Sequence, residues 1–146
     1  MVEPVPDGYH TVTPYLAVRG AGELLAFLKR AFDAEAVECI EMDGAVHHAE
    51  IRIGDSMVMM GECPEDADPQ PTSLYLYVGD ADAWFERAVE AGAEAIMEPA
   101  DQFYGDRHGA VKDPCGNSWY IATHIEDVSP EEIARRRAAM SEEDHG

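Results

Sequence analysis

Residues 18–35 read VRGAGELLAFLKRAFDAE, and residues 78–94 follow the same plan as VGDADAWFERAVEAGAE. Each copy follows an alternating apolar run that ends in valine, continues as a helix-like stretch and closes on a turn before Ala-Glu. The valines are 60 positions apart (18 and 78), and the Ala-Glu pairs are 59 apart (34 and 93). An internal repeat of this kind decides the architecture of a chain. Because only two copies are present, we expect a duplicated module within one domain, with any site between the copies.

The spacing of apolar residues predicts the order β-α-β-β-β in each module. In module one, which covers about 9–62, we predict a strand at 11–18, a helix at 20–32 and strands at 35–42, 45–53 and 56–61. In module two, about 72–125, we predict a strand at 73–78, a helix at 80–91, strands at 93–97, 109–112 and 118–124, and a loop at 102–107. A C-terminal helix at about 130–141 completes a single domain spanning 1–146.

Short motifs support these limits. The pair Asp43-Gly44 is typical of a two-residue hairpin turn. Asp80 and Ser129 are suited to cap the helices that follow them, because their side-chain oxygens can accept hydrogen bonds from the first free amide groups. Pro14 has no amide hydrogen, so we expect it at the edge of a sheet or at a bulge.

The charge balance limits the choice of partners. Thirty acidic residues face ten basic ones, which gives a formal net charge of −20. A field of this sign repels nucleic acids and anionic membranes, so we expect neither as a partner. Only two of the basic residues are lysines, Lys29 and Lys112, which favours the surface of a halophile over that of an ordinary acidic cytosolic protein.

Other features of the chain favour a cytoplasmic protein. No run of 18 or more apolar residues is present, and the first residues do not have the pattern of a secretory signal. The three cysteines, Cys39, Cys63 and Cys115, are an odd number and form no CxxC pair. We therefore expect three reduced thiols rather than a disulfide framework or a zinc site.

The motifs Val-Arg-Gly-Ala after the first strand, Val-Gly-Asp-Ala after the fifth and Asp113-Pro-Cys-Gly-Asn117 before the last resemble the glyoxalase/bleomycin-resistance superfamily, also called the vicinal oxygen chelate fold. The segment Gly105-Asp106-Arg107, followed by Asp113–Trp119, is similar to its PhnB-like branch. The resemblance implies an α+β fold in which paired βαβββ modules form a cup-shaped, eight-stranded mixed sheet. It also implies a homodimer and a small molecule bound in the cup.

The resemblance further places four metal ligands, His or Glu in the metal-dependent members, on the cup-facing strands. In this chain the matching positions are Thr13, Met60, Ser73 and Tyr120. Hydroxyls and a thioether are poor ligands for hard divalent ions. We therefore expect no metal at these positions and no cofactor.

If those positions face the cup, the two-residue period of a strand carries their neighbours inward as well. The candidate ligand-binding residues are then Thr13, Tyr15, His48, Glu50, Met60, Ser73, Tyr75, Tyr77, Tyr104, Arg107, Tyr120 and His124. A concave wall rich in aromatic side chains is typical of a small-molecule pocket and can stack on a planar or cationic ligand. The alternative is that the tyrosines fill a packed cup without a ligand.

Three residues are candidates for catalysis: His48 and Glu50, which lie two apart on one strand face, and Tyr120. In the loop 101–107, Tyr104 and Arg107 could close over a ligand, or the loop could be purely structural. Our first hypothesis is a metal-free small-molecule binding protein. The alternatives are a lyase, isomerase or dioxygenase-type enzyme with displaced ligands or metal-free acid–base residues, and a structural dimer with a packed cup.

Overall fold

One βαβββ module is followed by a second and by a C-terminal helix, as the repeat predicts. The computed structural model describes residues 2–144; the predicted domain limits at residue 1 and at 145–146 lie outside the described residues. The elements are β1 (Tyr15–Val18), α1 (Ala21–Phe32), β2 (Glu35–Met42), β3 (Ala45–Ile53), β4 (Ser56–Glu62), β5 (Ser73–Tyr77), α2 (Ala81–Glu90), β6 (Glu94–Asp101), β7 (Asp106–Lys112), β8 (Ser118–His124) and α3 (Pro130–Asp144). The predicted α+β fold class is confirmed.

Each module forms its own four-stranded mixed sheet. The strand orders are β1-β4-β3-β2 and β5-β8-β7-β6. The first strand of each module runs parallel to the last, and the remaining pairs are antiparallel. Strands β1 and β2 are the edges of the first sheet, and β5 and β6 are those of the second. The outer edge of β1 already carries one backbone hydrogen bond, from the amide of Gln70 to the carbonyl of Ala17 at 3.1 Å. Within the chain the eight strands lie in two sheets, so a continuous eight-stranded sheet would require an edge of each to be paired.

The turn motif and the two helix-capping residues form the structures that the sequence predicts. Asp43 and Gly44 both have positive φ (54° and 81°), as a tight hairpin between β2 and β3 requires. The Asp80 carboxylate accepts a hydrogen bond from the amide of Ala83 at 3.1 Å and caps α2. Ser129 accepts from the amide of Glu132 at 3.1 Å and caps α3 in the same way.

The predicted limits differ from the structure by three or more residues at three strands. Strand β6 continues to Asp101 rather than ending at residue 97. Strand β1 begins at Tyr15 rather than at residue 11, directly after Pro14, whose carbonyl accepts from the amide of Met59 at 2.9 Å. Strand β7 begins at Asp106, inside the predicted loop, because the segment from Asp106 pairs with the end of β8. This pairing depends on distant residues and has no local sequence signal.

The helices join the two modules. Helices α1 and α2 contact each other, and each packs on its own sheet. At their junction Phe32 stacks on Trp84, with the ring centroids 5.8 Å apart, and lies 5.2 Å from Trp119. One face of each sheet is thus covered by a helix. We call the opposite face of each sheet its outer face.

Two further features of the described residues concern the predicted reduced thiols and the predicted lack of a membrane span. Cys39, Cys63 and Cys115 are all free thiols, and burial raises the pKa of the Cys115 thiol to about 11, which makes it unreactive. Among the helices of residues 2–144, none combines the length and the apolar character needed to cross a membrane.

Candidate functional site

The outer face of the second sheet carries a cluster of tyrosines, which we call the tyrosine wall: Tyr75 and Tyr77 of β5, Tyr120 of β8, and Tyr104 of the loop before β7. Tyr75 and Tyr120 are register partners, and their rings lie nearly parallel with centroids 6.0 Å apart. The ring of Tyr77 lies 5.2 Å from that of Tyr75. Tyr75 is 40% exposed and Tyr77 64% exposed, so the wall is open to a ligand.

A buried carboxylate holds the wall in place. Asp106 accepts hydrogen bonds from the hydroxyls of Tyr75 (2.8 Å) and Tyr77 (2.9 Å) and lies 2.9 Å from Nδ1 of His124. Burial alone would raise the pKa of Asp106, but these hydrogen bonds outweigh it and hold the pKa below its ordinary value. The carboxylate is therefore ionised at neutral pH.

The same contacts keep the two phenols protonated. Burial, followed by hydrogen bonds to Asp106 and Tyr104, raises the pKa of Tyr75 far above its ordinary value. The hydrogen bond to Asp106 is the main cause of the raised pKa of Tyr77. These tyrosines therefore act as hydrogen-bond donors and stacking surfaces rather than as bases.

His124 links the wall to the following loop. Its Nδ1 faces Asp106, and its Nε2 lies 2.7 Å from the carboxylate of Asp127. These two contacts raise the pKa of His124, although half of the side chain is exposed. The imidazole stands at the rim of the wall and favours its charged form.

His108 is a member of this site that the sequence analysis missed. It lies on β7 and is 6% exposed, and its ring is surrounded by Tyr75, Tyr104 and Tyr120. His108 occupies the position in module two that His48 occupies in module one, since each pairs with the central strand at the same register. The two histidines are 60 positions apart, the spacing of the repeated valines, so the repeat itself was the signal that could have found His108.

The outer face of the first sheet brings together Tyr9, Tyr15, His48 and Glu50. His48 Nε2 lies 3.7 Å from Glu50 Oε2, and the ring of Tyr15 lies 5.9 Å from that of His48. The Tyr9 hydroxyl donates to Glu50. This hydrogen bond is the main cause of the lowered pKa of Glu50, while burial and the same bond raise the pKa of Tyr9 to about 12. Glu50 is thus ionised, and its carboxylate already accepts a hydrogen bond from Tyr9.

The placement of Met60 on the cup face is wrong. Tyr15 pairs with Met59, and Met59 pairs with Glu50, so Met59 is the residue of β4 on the outer face. Met60 pairs with Leu16 and is fully buried in the core. The error is one residue of register, because the apolar run 57–60 offers no alternation from which to choose a face.

Arg107 does not face the tyrosine wall. Its guanidinium binds Asp82 and Asp101, each at 3.1 Å. Asp82 lies in the first turn of α2, on the helix side of the sheet. Arg107 therefore ties β7 to α2, and its expected contact with a ligand is not supported by the geometry.

Thr13 and Ser73 line a cleft of about 650 Å³ that runs along the free edge of β5. The cleft lies between the N-terminal segment, the β3–β4 turn and β5, and its walls are mostly apolar. They include Val12, Ile53, Val58, Leu74, Leu76, Val78, Trp84 and Trp119. Tyr75 and Tyr77 also border the cleft, so it is continuous with the tyrosine wall.

The described residues do not fit a metal ion. Among the side chains that the structure describes, those of residues 2–141, no group of three or more His, Cys, Asp or Glu is placed to hold one. Of the four positions implied by the resemblance, Met60 is in the core, and Thr13, Ser73 and Tyr120 offer only hydroxyls. Such a donor set does not suit a divalent cation.

Residues 9–121 match the family described as Glyoxalase/Bleomycin resistance protein/Dioxygenase superfamily. The chain belongs to this superfamily. It is 33% identical over 147 residues to uncharacterized proteins of Mycobacterium bovis and Mycobacterium tuberculosis, covering 92% of this chain and 95% and 85% of those proteins.

Several solved structures share the fold. The chain resembles TioX from a Micromonospora species (TM-score 0.69, 23% identity, 80% of this chain and 99% of TioX). It also resembles a glyoxalase-related enzyme from Fulvimarina pelagi (TM-score 0.64, 16% identity, 78% of this chain and 87% of the enzyme). The fosfomycin resistance protein FosX from Mesorhizobium loti is a third (TM-score 0.59, 19% identity, 90% of this chain and 98% of FosX). At these identities the likeness concerns the fold.

Proposed function

We propose that this superfamily member binds a small molecule on the tyrosine wall without using a metal. The observation that carries the proposal is the arrangement around Asp106, which orients Tyr75 and Tyr77 by hydrogen bonds while their rings stay 40% and 64% exposed. Exposed aromatic rings held in a fixed arrangement offer a ligand a stacking surface at little cost in side-chain entropy.

We also propose that the chain belongs to the PhnB-like branch, because the segments around Gly105 and Asp113 resemble it. We propose a cytoplasmic location as well, because the three cysteines are free thiols.

The protonation states support binding rather than acid–base catalysis. The phenols of Tyr75 and Tyr77 are held protonated, and Asp106 is saturated by three donors. Glu50 already accepts from Tyr9. A general base needs a free lone pair and a pKa near the working pH, and these groups lack one or both.

A metal-free lyase or isomerase is the second candidate. The observation that favours it is the approach of His48 to Glu50, 3.7 Å apart with both side chains largely shielded. In such an enzyme, His48 would transfer the proton and Glu50 would orient the imidazole of His48. Tyr120, the third catalytic candidate, lies on the second sheet and is not brought together with these two residues within the chain.

We further propose a symmetric homodimer. The edge of β5, the part of the β1 edge that Gln70 leaves open and the apolar cleft beside β5 are surfaces that a second copy can cover. Pairing β1 of one copy with β5 of the other would extend each four-stranded sheet to eight strands and close a cup over the tyrosine wall. Light scattering should give the mass of a dimer at micromolar concentration, and a monomer would contradict this proposal.

The binding proposal is tested by a ligand-observed NMR screen of small aromatic compounds. Wild-type protein should bind a subset of them, and Tyr120→Ala should weaken those compounds because it removes a ring from the centre of the wall. Val89→Ala is the control, because it removes apolar atoms from an exposed position on α2, away from both outer faces. Equal binding by wild type and Tyr120→Ala would contradict the proposed site.

A further inference from the structure

His108 has a buried nitrogen without a partner. Among the described side chains, which end at residue 141, its Nδ1 is the buried nitrogen or oxygen that forms no hydrogen bond. Buried polar atoms are nearly always paired in native proteins, because an unpaired one loses its hydration without compensation. A phenylalanine of similar size would fill the same space without this loss. The imidazole therefore calls for a role beyond packing.

The corresponding histidine of module one has a carboxylate partner that His108 lacks. His48 has the carboxylate of Glu50 two residues further along its strand, 3.7 Å away. The equivalent position in module two is Ala110, which pairs with Tyr120 as Glu50 pairs with Met59. Ala110 is buried and offers no polar atom. The second copy has thus kept the histidine while losing its internal partner.

The surroundings of His108 allow a ligand to approach it. The rings of Tyr75 and Tyr120 lie 5.8 Å from the imidazole and belong to paired strands. The ring of Tyr104 lies 6.1 Å away, but Tyr104 is in a loop. The loop backbone is held by Gly105, whose carbonyl accepts from the amides of Ile125 and Glu126. A ligand reaches His108 only if the Tyr104 side chain rotates away and gives up its hydrogen bond with Tyr75 and its contact with the Phe103 ring, 5.2 Å away.

We propose that His108 determines the specificity of the tyrosine wall by hydrogen-bonding a hydroxyl or N–H group on a planar aromatic ligand. The ligand ring would stack on Tyr75 and Tyr120, and its polar group would enter the space of the Tyr104 ring next to the imidazole and hydrogen-bond Nδ1. A neutral polar group suits this position, since the ionised Asp106 and the net charge of −20 disfavour an anion. This inference rests on the proposed binding function.

The test compares two probes of the same shape, 2-naphthol and 2-methylnaphthalene, in wild type and His108→Phe. Their dissociation constants, measured by fluorescence titration, form a double-mutant-type cycle that isolates the hydrogen bond from stacking. The preference of wild type for 2-naphthol over 2-methylnaphthalene should fall about tenfold in His108→Phe. His108→Gln, which restores a hydrogen-bonding group, should recover part of the preference. His47→Phe, a change at an exposed histidine of module one, should leave it unchanged.

The outcomes separate this inference from the function on which it rests. If both probes bind and the preference is the same in wild type and His108→Phe, the role of His108 is overturned while binding to the wall stands. If neither probe nor any compound of the aromatic screen binds wild type, the proposed function is overturned and this inference with it. Circular dichroism verifies that His108→Phe folds, and His108→Leu provides the same comparison if it does not.

Discussion

The ring of Tyr15 lies directly over Gly61 of β4, so that a side-chain carbon added at Gly61 would collide with the Tyr15 hydroxyl. Tyr15 reaches across this strand to His48, with the ring centroids 5.9 Å apart. Module two has the same arrangement, with Tyr75 and His108 5.8 Å apart on either side of β8. The duplicated module thus carries a duplicated tyrosine–histidine pair on its outer face.

Gly61→Ala should therefore displace the Tyr15 side chain. Because the clash falls on the hydroxyl end of a flexible, half-exposed side chain, the free energy of unfolding should fall by only about 1 kcal/mol, the low end of the range for a side chain forced into occupied space. Urea denaturation measures the change. Gly79→Ala is the control, because no heavy atom lies within 4 Å of the added carbon and the backbone there is not left-handed. If the two variants are equally stable, the close approach of Tyr15 to Gly61 is not maintained in solution.

The contacts of His124 should make stability depend on pH. Its pKa is raised in the folded state by Asp106 and Asp127. The stabilisation is therefore complete below the ordinary value of 6.5 and is lost as the pH rises through the higher folded-state pKa. The loss of unfolding free energy in His124→Gln should be larger at about pH 5.5 than at about pH 8.5.

Denaturant titrations of wild type and His124→Gln at both pH values provide this comparison. His47→Gln, at an exposed histidine, serves as the control and should show no such pattern. If His124→Gln lowers the free energy of unfolding equally at the two pH values, the charged imidazole is not stabilised by the two carboxylates.

The net charge of −20 should make stability depend on salt. Acidic side chains repel one another in the compact state, and salt screens them over a Debye length of about 10 Å at 0.1 M and about 3 Å at 1 M. We expect the Tm to rise markedly between these concentrations. A variant with Glu65→Gln, Asp66→Asn and Asp68→Asn carries −17 (−20 plus 3) and should show a smaller rise. A flat profile for wild type would contradict the halophile interpretation.

The purified protein should hold no stoichiometric divalent metal. Thr13, Ser73 and Tyr120 supply neutral hydroxyls, and Met60 is enclosed in the core, so no strong ligand set is formed at the position that the superfamily uses. Elemental analysis after dialysis measures the content, with a known zinc protein treated in parallel. About one equivalent of zinc, nickel, manganese or iron per chain would refute this prediction.

Much of the fold could be predicted because its signals are local. Asp43-Gly44 specifies a tight turn through backbone conformation, and Asp80 specifies the start of α2 through its own hydrogen bond. The two-residue period of the strands put Tyr75 and Tyr120 on one predicted face, and in the structure they are register partners. In each case the deciding interaction lies within a few residues or follows from the period of a strand.

The features that the sequence did not predict depend on contacts between distant parts of the chain. Arg107 was expected at a ligand, but its partner Asp82 lies 25 residues away and meets it only after α2 packs on the sheet. The outer face of β4 could not be read from residues 57–60, because all four are apolar. His108 could not be placed on a strand face because the predicted strand begins only at residue 109, although the 60-residue repeat aligns it with His48.

The most direct test of the central claim is the affinity of the best aromatic ligand from the screen for wild type and for Tyr120→Ala, measured by calorimetric titration. Loss of one stacked ring should weaken binding about tenfold, while Val89→Ala binds as wild type does. Light scattering should give the same dimeric mass for all three proteins, because Tyr120 lies on the wall rather than on a free strand edge. An unchanged affinity in a folded Tyr120→Ala protein would contradict the claim that the tyrosine wall binds the ligand.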